Sequence, residues 1–272
     1  MSSSRKNKIK PYWSMRVLLS IALIGSLHIV QSGCGESPKE EKQAGTKEPI
    51  KMGTSADQPP FEFYRTGDGE TQIVGYDIDL AKKIGEELGN TVEIKDMDFS
   101  TLIPALQAGR VDFVMAGMTP TPERKQNVDF SISYLKFPVT AITQKQLTVQ
   151  SAQDLKGKKI GVQLGSAHEQ IAKEWAKDDP SITVVSLNKL GDLIQELIVG
   201  RIDAALMETA VAHSYVKLTP QLKVNLLPKY QLEFAVAFQK GSPLVEKFNK
   251  IIDQLEKSGQ LEALKKKWIT KD

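Results

Sequence analysis

Three short segments hold the residues best suited to chemistry. Met118-Thr119-Pro120-Thr121-Pro122-Glu123-Arg124 follows an apolar run, and a threonine before a proline is a helix-start signal, so Arg124 should lie in the first turn of a short helix. A guanidinium there, beside backbone N–H groups freed by Gly117, suits a bidentate grip on a carboxylate, although a surface arginine paired to Glu123 or Asp129 fits the same residues. Gly165-Ser166-Ala167-His168-Glu169 follows a second apolar run, and Ser166 with Glu169 has the spacing of a capping box. Such a box fixes a helix start whose remaining N–H groups attract anions, or it does no more than stabilise the helix. Glu208 closes a third apolar run. It is placed to pair an ammonium across a crevice, or to act as the first-turn acid of a helix starting near Thr209.

These segments need strand ends to hold them. Strand Ile50–Thr54, a Pro-rich loop, Phe61-Glu62-Phe63-Tyr64 and a turn at Thr66–Gly69 open the globular region. A helix from about Asp77 carries Leu80, Ile84 and Leu88 on one face and ends near Gly89. A strand at Val92 and Ile94, a helix over 102–108 and a strand over 111–116 continue an alternation that predicts mostly parallel sheets flanked by helices. The rhythm restarts near Lys159, with strands at 160–162, 183–187 and 202–207 and helices at 167–176 and 190–199. Leu106–Met115 and Leu197–Leu206 even share one signature, a helix ending on Gly-Arg followed by Val-Asp or Ile-Asp and an apolar strand. Two similar lobes follow, 49–137 with 234–272 and 138–233, joined by crossings at Leu232–Phe238 and Pro138–Thr143. The last segment is helical, with Ser242 as N-cap, Pro243 in the first helical position and a stop at Gly259.

The formal charge of +3 does not describe the globular part. Five of the 36 basic residues precede position 34 and all 33 acidic ones follow it, leaving 31 basic against 33 acidic side chains over 35–272. A basic footprint for nucleic acid is therefore missing. The basic cluster runs into apolar Val17–Val30, too short for a ~30 Å hydrocarbon core, and residues 1–33 read as a signal peptide. Cys34 is the only cysteine. Ser32-Gly33-Cys34 resembles a lipobox, with Gln31 where an aliphatic residue is usual, so Cys34 is expected to carry the lipid anchor, with ordinary secretory cleavage nearby as the alternative. Residues 34–48, rich in Glu, Lys, Gln, Ser, Gly and Pro, read as a flexible tether. Phosphate loops, HExxH patterns and cysteine–histidine metal spacings are not present, so neither metal nor cofactor is expected. Ser166, His168 and Glu169 share one helix start, which precludes triad geometry.

Gly75-Tyr76-Asp77-Ile78-Asp79-Leu80 resembles the signature of family 3 extracellular solute-binding proteins, the polar amino-acid receptors of ABC importers. Asp57–Phe63, Gly117–Arg124, Leu155–Val162 and the terminal Lys267-Trp268 resemble the family's other blocks, in family order over about residues 49 to 270. The resemblance implies a two-lobed periplasmic-binding-protein fold that closes on its ligand about two hinge strands. It also implies that Arg124 clamps the ligand α-carboxylate with backbone N–H groups near Gly117 and Ala167, that Glu208 pairs the α-ammonium where aspartate is commoner, and that Thr119 and Ser166 add hydroxyl contacts. Phe99 matches one wall of an aromatic sandwich, and Gln58 stands where the other wall is often tyrosine. Ser55 stands where some basic-amino-acid receptors carry aspartate, which leaves Asp57 to meet a cationic ligand. The expected function is capture of arginine or another basic amino acid by a monomer that delivers it to an ABC permease. Glutamine, another uncharged polar amino acid or cystine is the runner-up, and a secreted cyclohexadienyl dehydratase is the rival class. A sensor ectodomain is disfavoured, because no second apolar segment follows the lobes.

Overall fold

The computed structural model describes residues 48–67 and 69–269; the signal segment, Cys34 and all of the expected tether except Glu48 lie outside them. The first part of the chain runs β1 (Ile50–Thr54), β2 (Asp57–Gln58), β3 (Glu62–Gly67), β4 (Glu70–Val74), α1 (Tyr76–Glu87), β5 (Val92–Asp96), α2 (Leu102–Gln107), β6 (Phe113–Val114), α3 (Pro122–Asn127) and β7 (Val128–Phe130). The second runs β8 (Leu135–Gln144), β9 (Lys159–Gln163), α4 (Ala167–Asp178), β10 (Thr183–Leu187), α5 (Leu190–Ile198), β11 (Ala204–Glu208), α6 (Thr209–Lys217) and β12 (Leu222–Phe234). The chain then returns to the first lobe as β13 (Ala237–Gln239), α7 (Leu244–Lys257) and α8 (Gln260–Trp268).

Each lobe is built on one five-stranded mixed sheet, in the orders β5-β1-β6-β13-β7 and β10-β9-β11-β8-β12. The two orders are the same arrangement. In each, the leading strand pairs parallel with its two neighbours, and two antiparallel joins finish the sheet. The mostly parallel pattern therefore holds for three strands of each sheet. A three-stranded antiparallel sheet of β2, β3 and β4 lies beside the first.

The repeated signature has a mechanical role. Lys51 N donates to Asp112 Oδ2 at 2.7 Å while Asp112 N donates to the Lys51 carbonyl at 2.8 Å. In the other lobe Lys159 N donates to Asp203 Oδ2 at 2.8 Å and Asp203 N returns to the Lys159 carbonyl at 2.8 Å. Each aspartate thus clasps the start of the leading strand, and the glycine three residues earlier turns the chain out of the helix at positive φ (68° at Gly109, 73° at Gly200).

The glycine-led signature at 75–80 is also explained by contact. Tyr76 N and Asp77 N donate to the carbonyls of Pro60 and Phe61, both at 3.0 Å. A Cβ on Gly75 would lie 2.0 Å from the Phe61 carbonyl oxygen, so only glycine lets α1 start there. Asp79 Oδ2 accepts from Lys267 Nζ at 2.6 Å and Trp268 Nε1 at 2.7 Å, fastening α1 to the end of α8.

The strand expected over 111–116 is paired in register only at Phe113–Val114; Met115 N still donates to the Gly53 carbonyl at 3.1 Å, and Gly117 beyond it lines the inter-lobe cleft. At the C-terminal helix, Pro243 is the cap residue and α7 starts at Leu244, whose N–H reaches Ser242 Oγ at 3.3 Å. Gly259 in the left-handed region ends α7 and opens a separate helix, α8. β8 and β12 pair from Leu135↔Phe234 to Gln144↔Leu222, with the register shifting between Leu227 and Gln231. Val139–Thr143 of one expected crossing already belongs to the second sheet, against β11, and Ala237–Phe238 of the other belongs to the first. Between the sheets Phe61, Phe137 and Phe234 pack with centroids 5.0–5.7 Å apart.

Candidate functional site

The loop after β6, the start of α4 after β9, and the end of β11 converge on one narrow cleft between the lobes. Thr121 caps α3 by accepting from Arg124 N at 3.3 Å, with Pro122 in the first turn, so the short helix holds the arginine at its start. Arg124 is 7% exposed. Its Nη1 donates to the Thr119 carbonyl at 2.7 Å, its Nη2 crosses to the Gly165 carbonyl of the other lobe at 2.8 Å, and its guanidinium lies 5.3 Å from the Phe99 ring centre. The surface reading is excluded by these contacts, since Asp129 pairs with Lys240 and Glu123 accepts from Gln170. Burial lowers the Arg124 pKa to about 10, which leaves it cationic at neutral pH.

Glu208 faces it from the second lobe, 5% exposed, accepting from Gln58 Nε2 at 3.1 Å. It occupies the cap position of α6 without a side-chain capping bond, so its carboxyl is left for the cleft. Burial raises its pKa to about 7 despite Gln58 and the more distant Arg124. His168 Nε2 lies 3.7 Å from Glu208 Oε1, and burial, with Arg124 nearby, lowers the imidazole pKa to about 3. A neutral imidazole beyond hydrogen-bond distance makes no ion pair, and that nitrogen has no hydrogen-bond partner.

Of the residues expected at the site, Gln58, Phe99, Gly117, Thr119, Arg124, Ser166, Ala167 and Glu208 line the cleft. Gly117 does so with its N–H already donated to Asp77 Oδ2 at 3.2 Å. Ser166 caps α4 by accepting from Glu169 N at 3.1 Å, but the Glu169 carboxylate accepts from Gly165 N, at 2.7 Å, one residue beyond the cap residue of a capping box. Ser55 and Asp57 are not among the lining residues. Ser55 Oγ donates to Asp57 Oδ1 at 3.1 Å, and Asp57 Oδ2 accepts from Leu190 N at 2.8 Å. The lining adds Gln163, His168 and Leu190, which are not among the residues expected there. Gln163 ends β9 and Leu190 opens α5, positions that strand and helix boundaries do signal, whereas nothing local distinguishes His168 from a core histidine.

Behind Gly117, Asp77 Oδ2 also accepts from Tyr134 OH at 2.7 Å, and burial raises its pKa to about 6. Burial likewise pushes fully buried Glu62 well above the carboxylate range, helped by Asp77. Among the described residues no group of three or more His, Cys, Asp or Glu is arranged to hold a metal, and no helix is long and apolar enough to cross a membrane.

Two α/β lobes joined by paired strands, with a buried arginine and a buried glutamate at the cleft between them, have the architecture of the two-lobed solute-binding proteins. The chain belongs to the bacterial extracellular solute-binding proteins, family 3, which it matches over residues 50–271. It is 42% identical to the arginine-binding extracellular protein ArtP of Bacillus subtilis, over 94% of this chain and 99% of that one. Among solved structures it resembles the substrate-binding protein of an amino-acid ABC transporter (TM-score 0.77, 42% identity, 82% of this chain and 99% of that one). It also resembles AbpA of Streptococcus pneumoniae bound to L-arginine (0.75, 36%, 79% and 92%). AncCDT-1, an ancestral amino-acid-binding protein and precursor of cyclohexadienyl dehydratase, is similar as well (0.74, 36%, 82% and 96%).

Proposed function

We propose that the protein captures a basic amino acid, arginine first, in the inter-lobe cleft and delivers it to an ABC permease. The observation that carries this reading is the opposed pair of Arg124 and Glu208, one from each lobe, both buried at one cleft. Two of the five guanidinium donors are held by the Thr119 and Gly165 carbonyls, which fixes the plane and leaves the remaining N–H groups for a carboxylate. The start of α4 at Ala167 adds backbone donors, and Glu208 supplies the counter-charge for an α-ammonium. Arg124 takes one face of Phe99, and on this reading the opposite face meets the ligand, worth ~0.5–2 kcal/mol to a stacked cation. Arginine ranks first because ArtP is an arginine-binding protein and AbpA is bound to L-arginine. A thermal-shift screen over the amino acids tests the assignment: arginine should give the largest rise in Tm, and a larger rise with glutamine or cystine would overturn the order.

On this reading the protein is a receptor rather than an enzyme. The likeness to a dehydratase precursor gives the rival a definite test, because an enzyme of that kind consumes prephenate or arogenate and a receptor leaves both intact. Tethering to the membrane through acylated Cys34 belongs to the same proposal. Radiolabelled palmitate should enter the mature protein and be lost in Cys34→Ser.

A further inference from the structure

Asp57 stands beside the cleft, bonded to two residues that line it without lining it itself. Its Oδ2 accepts from the backbone N–H of Leu190 at 2.8 Å, and Leu190 is the first residue of α5 in the opposite lobe. That helix has no side-chain cap of its own, since its cap residue is Lys189. Gln163 Nε2, also from the second lobe, approaches the same oxygen at 3.4 Å, while Ser55 Oγ holds the other oxygen at 3.1 Å. Tyr215 OH in α6 donates to the Asp57 backbone carbonyl at 2.8 Å. Around it, Lys189 pairs with Asp98 at 2.9 Å and Asn188 reaches the same carboxylate at 3.3 Å, so the whole turn before α5 rests on the first lobe.

We infer that Asp57 is a positioning residue which caps α5 across the cleft only when the lobes are closed, and so sets how long the closed form holds its ligand. With the lobes apart, the Leu190 N–H and the Asp57 carboxylate are both solvated. Closure removes water from both and is favourable only because they meet. The inference rests on the amino-acid-binding reading for its ligand, but not on which amino acid is bound. It gives Asp57 a task different from pairing with a cationic ligand, and the two tasks demand different chemistry. A cap needs an acceptor oxygen, which asparagine keeps; an ion pair needs the charge, which asparagine lacks. Burial raises the Asp57 pKa even with Leu190 bonded to it, so closure bears a desolvation cost that the neutral amide avoids.

The test compares Asp57→Asn and Asp57→Ala with the wild type, using arginine as the probe and stopped-flow to separate association from dissociation. The expected result is that Asp57→Ala dissociates about tenfold faster, the effect of leaving a buried N–H unpaired, at an unchanged association rate. Asp57→Asn should stay within about threefold of the wild type on the same scale. Hydrogen exchange of the Leu190 amide should be slowed in the wild type and in Asp57→Asn and accelerated in Asp57→Ala. An Asn variant as weak as the Ala variant would make Asp57 a charge partner of the ligand and overturn the inference, as would an Ala variant indistinguishable from the wild type. Failure of the wild type to bind arginine would sink the ligand assignment instead. The exchange rates at Leu190, measured with whichever amino acid gives the largest rise in Tm, would then decide: the stated order supports the cap and equal rates overturn it.

Discussion

At the residue scale, the site rests on two charges held against their hydration. Removing Arg124 would leave a ligand carboxylate buried without its partner, a loss of ~3–5 kcal/mol, so Arg124→Ala should abolish binding measurable by calorimetry while circular dichroism and thermal unfolding of the free protein stay near wild type. Arg124→Lys should fail nearly as badly, because a point charge cannot hold the Thr119 and Gly165 carbonyls and a carboxylate together. Glu208 makes binding depend on pH in a direction that can be worked out. Its pKa is raised from 4.5 to about 7 in the folded protein, so its contribution to stability is full below pH 4.5 and lost as pH rises through 7; Asp77, raised from 3.8 to about 6, acts the same way. An α-ammonium favours the ionised carboxylate, so binding near pH 6 must expel the proton. Affinity for arginine should therefore rise up to about tenfold from pH 6 to 8, with proton release visible as a buffer-dependent calorimetric heat, and Glu208→Gln should flatten the dependence. Cap signals and strand ends place Arg124 and Glu208 locally in the sequence but leave each a second reading, which only their burial at the cleft decides. The setting of Asp57 could not be read from sequence, since its partner is a backbone amide 133 residues away and belongs to the other lobe.

At the element scale, the repeated Gly-Arg-(Val/Ile)-Asp signature was visible in the chain as a similarity, and the structure supplies its cause in the two aspartate clasps. Asp203→Ala should remove the Lys159 N–H partner at a partly solvated strand start, costing about 1 kcal/mol in urea unfolding without altering the cleft. The glycines divide on the same reasoning. Gly75→Ala should prevent folding, since α1 would have to move off the Phe61 carbonyl, whereas Gly191 in α5 has nothing within 4 Å of a built Cβ and adopts no positive φ. Gly191→Ala should therefore raise stability by about 0.5 kcal/mol, seen as a higher Tm. The antiparallel joins of each sheet were not legible. Periodicity identifies a strand but not its neighbour, and β13 reaches the first sheet only after the whole second lobe has intervened.

At the scale of the whole molecule, the contacts that close the cleft are few, polar and distributed over several elements. Arg124 with Gly165, Gln58 with Glu208, Asp57 with Leu190, Lys189 with Asp98 and Gln170 with Glu123 each join one lobe to the other. Each lobe keeps its own sheet and apolar packing, and the paired strands β8 and β12 run between them beside the Phe61, Phe137 and Phe234 cluster. Polar contacts of this kind are exchanged for water at little net cost, whereas the sheets are not, so separation should occur at the cleft and leave the lobes unchanged. A ligand that touches Arg124 in one lobe and Glu208 in the other meets a complete site only when the lobes are together. Moving the equilibrium from mostly open to mostly closed requires ~5 kcal/mol of differential affinity. Small-angle scattering of the mature protein should then give a smaller radius of gyration with saturating arginine than without it, by rigid-body rotation about the two strands. Tight binding at an unchanged radius would mean that the cleft is preformed and that the two charges are already in place before the ligand arrives.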